Sequence, residues 1–555
     1  MDAGPVAVPP SVTVPPPAPS WSLADAAAAQ TQGFVVTGFA GLPTGRALFL
    51  EFKWPGEKGP EGWLGRLQAV APITSAVPPD KADPTAQTRA ASIAFSGTGL
   101  RRMGLPEVAL ASFTRPFQEG MFQEDRLRRL GDRRSGQWLG TVVDGGPVWS
   151  ANTAVRVPTL GAPTLGAPTP NLPGGFDVPP VGAPEEHTAT AITVHALLLL
   201  YTPDEAAAEA WANQARTQLG SDSIEVVRCL ELLLDVENAG FSREHFGFAD
   251  GLSQPLPYDE GNAVQVGGQP AMQDPVQGVP LGEFMFGYIN GHHEKAPGPV
   301  VPDSDAARTA KLLASDQAEG FCDLGLNGSY LVARELKQDV AAFWRSMEAN
   351  AAAIRALDPE HTQHVTGQWL AERVVGRDRN GNLLCPGNAT LPACSDGSPD
   401  SSFLFYDRDS HATGCPPGSH VRRAFPRDAL APDPANKPTL LQAANNHRIL
   451  RRGRKFGTRL EDPSVDDGAD RGLLFMCLNT DIERQFEFVQ QTWLLNSSFA
   501  TLFQEVDPLV GPAGRMTIRD EPLRRTISVD TFVRMAGGDY FFLPSLPTLQ
   551  FLASL

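Results

Sequence analysis

The chain has 555 residues, 42% of them hydrophobic and 20% charged, and its 46 basic against 63 acidic residues leave a formal charge of -17. That balance describes a globular protein with a sizeable core and argues against a broad nucleic-acid or anionic-membrane surface, so neither is expected as a partner. Six cysteines are too few for a disulfide scaffold in so long a chain, and none stands in a CxxC pair.

The opening stretch, MDAGPVAVPPSVTVPPPAPSW, has no basic segment ahead of an apolar one and no twin arginine; its prolines predict an extended tail over residues 1–31. With no secretory signal, Tat motif or spanning segment, a cytoplasmic location is expected, with secretion by another route left open. AITVHALLLLY (191–201) is too short to cross a bilayer and reads as a buried strand. The helix TPDEAAAEAWANQARTQLG follows, with Thr202 placed to cap it, Pro203 at its first position, and Asp204 and Glu205 at the positive end of its dipole. IEVVRCLELLLDVE (224–237) is a second strand. In the second half GSYLVAREL (328–336) is strand-like and KQDVAAFWRSMEANAAAI helical. GLLFMCLN (472–479) then precedes TDIERQFEFVQQTWLL, where Ile482, Phe486, Val489 and Trp493 recur at near-helical spacing behind a Thr480/Glu483 capping box. Stretches 156–185, 259–280 and 376–419 read as loops. The order predicts an α+β fold in two halves, 32–300 and 301–555, with sheets covered by helices and a ligand cavity where the layers meet.

Three segments carry candidate chemistry. HFGFADGLSQP (245–255) sets a lone acid, Asp250, in a tight turn, although most Asp-Gly pairs only turn the chain. CPPGSHVRRAFPRD (415–428) holds His420 beside Arg422, Arg423 and Arg427, and NNHRILRRGRKFG (445–457) gathers His447, Arg448, Arg451, Arg452, Arg454 and Lys455. A solvated basic face, a phosphate patch and a pocket for an apolar molecule with acidic groups all fit such runs; the interleaved apolar residues favour the pocket. Cys385, Cys394 and Cys415 lie near His411 and His420, but their spacings do not match common zinc motifs; a Cys385–Cys394 disulfide would require an oxidising space.

In chain order, HALLLLYTPDEAA, GFADGLSQP, LGEFMFGYIN, NGSYLVARELKQDVAAFW, CPPGSHVRRAFPRD, HRILRRGRKFG, GLLFMCLNTDIERQFEFVQQTW and GDYFFLPSLPTLQFLA are similar to segments of the DyP-type (dye-decolorising) haem peroxidases, from about residue 32 to the C-terminus. The resemblance implies two ferredoxin-like halves of antiparallel sheets covered by helices, in the dimeric α+β barrel superfamily, with one haem b per chain held between them. It implies His420 as the proximal iron ligand, Asp250 as the distal acid/base and Arg451 as its partner, with Gly251, Leu252, Ser253, Phe425, Pro426, Arg427 and Arg451 contacting the cofactor. The family's Asn-Pro-Arg is Phe425-Pro426-Arg427 here. Asp481 is the candidate carboxylate for the second nitrogen of His420, or else only a helix N-terminal acid; His447 is the rival ligand. The implied activity is oxidation of dyes, phenolic compounds or similar reductants by hydrogen peroxide through an oxoferryl haem, in a chain compatible with a homo-oligomer. An acid/base of this type works further into acid than a histidine. The competing functions are a haem-handling, deferrochelatase-like protein without peroxidase turnover and a haem-free binder of phosphorylated ligands.

Overall fold

Residues 21–56, 58–79, 88–152, 154–157, 185–188, 190–235, 242–261, 264–266, 269–270, 274–394, 397–520 and 523–555 are described by the computed structural model. Every residue of the strand Ala196–Thr202 is buried, because both of its faces are covered. Leu198 and Leu200 pack with Leu48, Leu50 and Ile93 beneath a helix whose Trp211, Ala212, Ala215 and Leu219 meet them. Their neighbours Leu197 and Leu199 point the other way, into a core shared with Ala47, Phe49, Leu331, Met476 and Phe541. Period-two alternation thus divides the side chains between an inner core and a layer under helices.

The first half supplies β1 (Thr44–Phe52), β2 (Ala90–Phe95), β3 (Ala196–Thr202) and β4 (Ile224–Leu233), with helices α1 (Trp63–Val70) and α2 (Glu205–Ser221). The second supplies β5 (Ser329–Gln338), β6 (Arg454–Phe456), β7 (Gly472–Asn479) and β8 (Val533–Leu543), with α3 (Val340–Leu357), α4 (Gly367–Val375) and α5 (His420–Ala424). Strand order is β4-β1-β3-β2 in one and β6-β7-β5-β8 in the other, antiparallel throughout, which is the ferredoxin-like order twice. The two sheets close into one eight-stranded ring. Each seam is a single residue pair, Leu233 with Lys455 and Phe95 with Phe542.

Several local expectations change. Residues 1–20 of the expected tail lie outside the described residues, whereas Trp21–Leu23 pairs with Val264–Val266 and buries Trp21 and Leu23. Helix α2 is capped by Asp204, which accepts the Ala207 N–H at 2.9 Å; Thr202 ends β3 and Pro203 precedes the cap. The late helix is capped by Asp481, whose Oδ1 accepts the Arg484 N–H at 2.9 Å, because the Thr480 hydroxyl is spent on the Gly282 carbonyl. Its wide π turns, Glu483–Glu487 and Val489–Leu494, still bury Ile482, Phe486, Val489 and Trp493 on one side. Of the loop at 156–185, residues 158–184 lie outside the described residues. Among the described residues no helix is long and apolar enough to cross a membrane.

Candidate active site

The space between the two sheets is filled by side chains, so it is not the ligand site. A cavity of about 360 Å³ lies instead on the outer face of the second sheet, where Leu336, Leu473, Phe475 and Met535 form its floor. Helical residues Val421 and Leu494 form another wall, and residues 244, 246 and 248–254, from the first half, complete it. The walls therefore come from both halves, although the interior of the ring does not contain the cavity.

Pro416 and Gly418 break the chain before α5 and Pro426 follows it, which confines the helix to one turn and fixes His420 at its start. His420 Nδ1 bonds Asp507 Oδ2 at 2.9 Å, and Asp507, with no exposed side-chain surface, takes the N–H groups of Leu509 and Val510 on its other oxygen at 2.9 Å each. Burial alone would lower the histidine's pKa, but the charge and hydrogen bond of Asp507 outweigh it and raise the value. Burial alone would likewise raise Asp507, yet His420, the Val510 N–H and the charge of Arg423 hold it below the usual carboxylate range. The pair keeps a proton on Nδ1 and leaves Nε2 without a hydrogen-bond partner among the described residues. Asp481 is not that partner: it caps the late helix and pairs with Arg484. His447 also lines the cavity, but its ring stacks on Phe488 with centroids 3.7 Å apart and its Nδ1 lies 2.6 Å from the Arg484 carbonyl, with no carboxylate on it.

Asp250 enters from a different wall. Its loop bends through left-handed backbone at Gly247 (φ 96°), Gly251 (φ 77°) and Ser253 (φ 56°), and Asp250 Oδ1 accepts the Gly251 N–H at 2.6 Å. Arg451 sits in the short strand Leu450–Arg451 beside β7, opposite Cys477. Its backbone N–H and carbonyl meet the Gln254 amide at 3.2 and 3.3 Å, and its guanidinium donates to the Leu252 carbonyl. Arg451 is thus tied to the loop that carries Asp250.

Five arginines line the cavity; Arg334 is paired with Asp132, and among the described residues the other four, Arg377, Arg427, Arg448 and Arg451, have no carboxylate partner. Arg427 and Arg448 donate to the Ser253 hydroxyl and carbonyl at 2.9 and 2.8 Å, while Arg427 Nε, Arg448 Nη1 and Arg377 Nη2 have no partner. Burial, reinforced by the charge of Arg451, pulls Arg448 down to about 9 and Arg377 down to about 10. The Phe425 ring lies between Arg448, 3.9 Å away, and Arg427, 4.5 Å away, so the residue that departs from the family tripeptide is the cation–π platform for both. Pro426 is buried outside the cavity lining. Unpaired buried cations are costly, and a flat apolar ligand carrying two carboxylates would satisfy the orphaned nitrogens. Haem has that shape and charge, so the residues present fit it.

The free thiols Cys385, Cys394 and Cys415 are half-buried, exposed and buried, respectively. Sequence reasoning missed Asp507, Arg377 and Glu244; Asp507 stands 87 positions from His420 with no motif joining them.

No protein-family model matches the chain. It is 30% identical over 340 residues to the multifunctional dye peroxidase DyP2 of Amycolatopsis sp., covering 58% of this chain and 63% of that protein. It is 27% identical over 336 residues to the dye-decolorizing peroxidase msp1 of Mycetinis scorodonius, covering 56% and 57%. The chain thus spans about three fifths of the length of these relatives. In structure it is similar to a DyP-type peroxidase of Anabaena sp. (TM-score 0.64, 23% identity, 95% of both chains covered). It is also similar to a dye-decolorizing peroxidase in complex with 2,6-dimethoxyphenol (TM-score 0.63, 22% identity, 95% and 99% covered). In sequence the chain is thus similar to dye-decolorizing peroxidases over about three fifths of their length, and its two-halved α+β barrel is the fold of the DyP-type peroxidases.

Proposed function

We propose that this chain is a haem peroxidase that uses hydrogen peroxide to oxidise dyes, phenolic compounds or similar reductants, with one haem b per chain. The observation that carries the reading is one apolar cavity lined from different walls by His420, which Asp507 backs from behind, and by Asp250 with Arg451, with unpaired guanidiniums beside them. When bound, haem supplies the iron at which peroxide is reduced. His420 Nε2 would hold that iron, with Asp507 keeping the proton on Nδ1 and making the imidazole a stronger donor. Arg377, Arg427 and Arg448 receive the cofactor's carboxylates. Asp250, with Oδ1 engaged by Gly251, uses Oδ2 to take a proton from one peroxide oxygen and return it to the other, which leaves as water. The Arg451 guanidinium stabilises the charge that develops on the departing oxygen. The relative solved with 2,6-dimethoxyphenol supports a phenolic reductant.

The test is a pyridine haemochrome assay on protein expressed with ample haem, followed by rapid mixing with peroxide. His420→Ala is expected to lose haem while His447→Ala retains it. Asp250→Asn is expected to keep haem and slow the peroxide step by roughly 10²- to 10⁴-fold. A haem-loaded chain that only bleaches slowly in peroxide would be a carrier, and undiminished turnover in Asp250→Asn would overturn the assignment.

A further inference from the structure

Glu244 lines the cavity six residues before Asp250, yet it neither reaches the metal ligand nor moves a proton in the proposed cycle. Its carboxylate is the centre of a closed turn. Oε1 accepts the Phe248 N–H at 2.8 Å, and Oε2 accepts the Phe246 N–H at 2.7 Å and Gln338 Nε2 at 2.9 Å. The backbone closes over the same atoms, with Glu244 N donating to the Phe248 carbonyl at 3.1 Å and Gly247 N to the Glu244 carbonyl at 2.9 Å. Gly247 is required there, since its φ is 96° and a Cβ would come within 2.6 Å of Arg379 Nη2.

The turn is then fastened to the second half. Phe246 packs on Phe343 with centroids 4.5 Å apart, Phe248 stacks on Trp344 at 6.4 Å, and Gln338 is the last residue of β5. Among the described residues no basic side chain pairs with Glu244. Burial, with Asp250's charge adding to it, pushes its pKa up to about 7 against the three hydrogen bonds. A carboxylate is nevertheless the group this turn needs: three donors converge on two oxygens, and a glutamine amide would offer one acceptor and face the remaining donors with its own N–H.

We propose that Glu244 is the positioning residue for the distal acid: its carboxylate shapes the 244–248 turn, and through that turn aims Asp250 into the cavity and ties the first-half loop to β5. The kinetic part of this inference rests on the peroxidase reading; the conformational part does not.

The experiment is hydrogen exchange by mass spectrometry on Glu244→Gln, haem-loaded and haem-free, comparing peptides covering 244–254 with peptides from β1 and β3. Protection over 244–254 is expected to fall at least tenfold while β1 and β3 stay as in the wild type. In the haem-loaded variant the second-order rate with peroxide is expected to fall at least tenfold with haem content unchanged. Glu244→Asp, which keeps two acceptor oxygens, is expected to recover part of both. Wild-type exchange over 244–254 overturns the proposal, as does a slower peroxide step without faster exchange. Should Glu244→Gln fail to fold, Gln338→Met removes one donor and leaves the acid: faster exchange confined to 244–254 supports the assignment, and unchanged exchange overturns it. If the wild type loads haem and shows no peroxide turnover, the peroxidase reading fails while the exchange arm still decides the role of Glu244.

Discussion

Asp507 has three donors on two oxygens: the imidazole of His420 and the N–H groups of Leu509 and Val510. An asparagine there satisfies one side only, because its amide nitrogen must face either the ring N–H or the two backbone N–H groups. Asp507→Asn is therefore expected to weaken haem binding by roughly 10- to 100-fold and to shift the haem reduction potential upward. Haem titration and spectroelectrochemistry read the two effects. His420 and Asp250 were legible because each sits in a short motif whose residues are neighbours in sequence. Asp507 was not, since DPLVG reads as any turn and the contact spans 87 positions. Asp481 attracted the role by its place at a helix start; that place used its carboxylate as the cap.

The segments that build the arginine-rich end of the cavity, 425–427 and 448–451, are held by Ser253, Gln277 and the ring of Phe425 and by no acid among the described residues. A buried cation without a counter-charge destabilises the haem-free fold. Arg448→Leu is therefore expected to raise the melting temperature of the haem-free chain while lowering its haem affinity at least tenfold. Differential scanning calorimetry and haem titration check the two opposite signs. The crowding of arginines among apolar residues was visible in sequence, and so was the one-sided spacing of Ile482, Phe486, Val489 and Trp493. The wide turns of that helix and the fourth guanidinium, Arg377, were not, because they depend on packing between segments far apart in the chain.

Across the molecule, two buried histidines that do not line the cavity contribute to acid stability. His195 Nδ1 accepts the Phe52 N–H at 2.9 Å, which requires a neutral ring, and burial holds its pKa down to about 4; burial does the same to His245. A base whose pKa is depressed on folding contributes stability that is present above its ordinary value near 6.5 and is lost as pH falls through about 4. Unfolding midpoints are expected to drop between those limits, and His195→Gln to flatten the drop. Asp539, raised to about 6 by burial against three N–H donors, has the opposite sign: its contribution is full below the ordinary carboxylate value and declines as pH rises through about 6. Asp539→Asn is expected to remove that decline in the same titration. Four of the eight ring strands, β3, β4, β5 and β7, could be read from their apolar runs and the helices beside them. The pairing of β2 with β8 and of β4 with β6 could not, because each seam is one residue pair joining strands more than 200 positions apart.

Those seams set an order of events for the nascent chain. Ala90–Phe95 is made well before its seam partner Val533–Leu543, and meanwhile the edge that will face it is held by Thr74, which bonds Ala91, and by the Gln32 amide, which bonds both backbone groups of Ile93. The loop bearing Asp250 is likewise made well before the helix that carries His420, so a ligand touching both would have to wait for that helix.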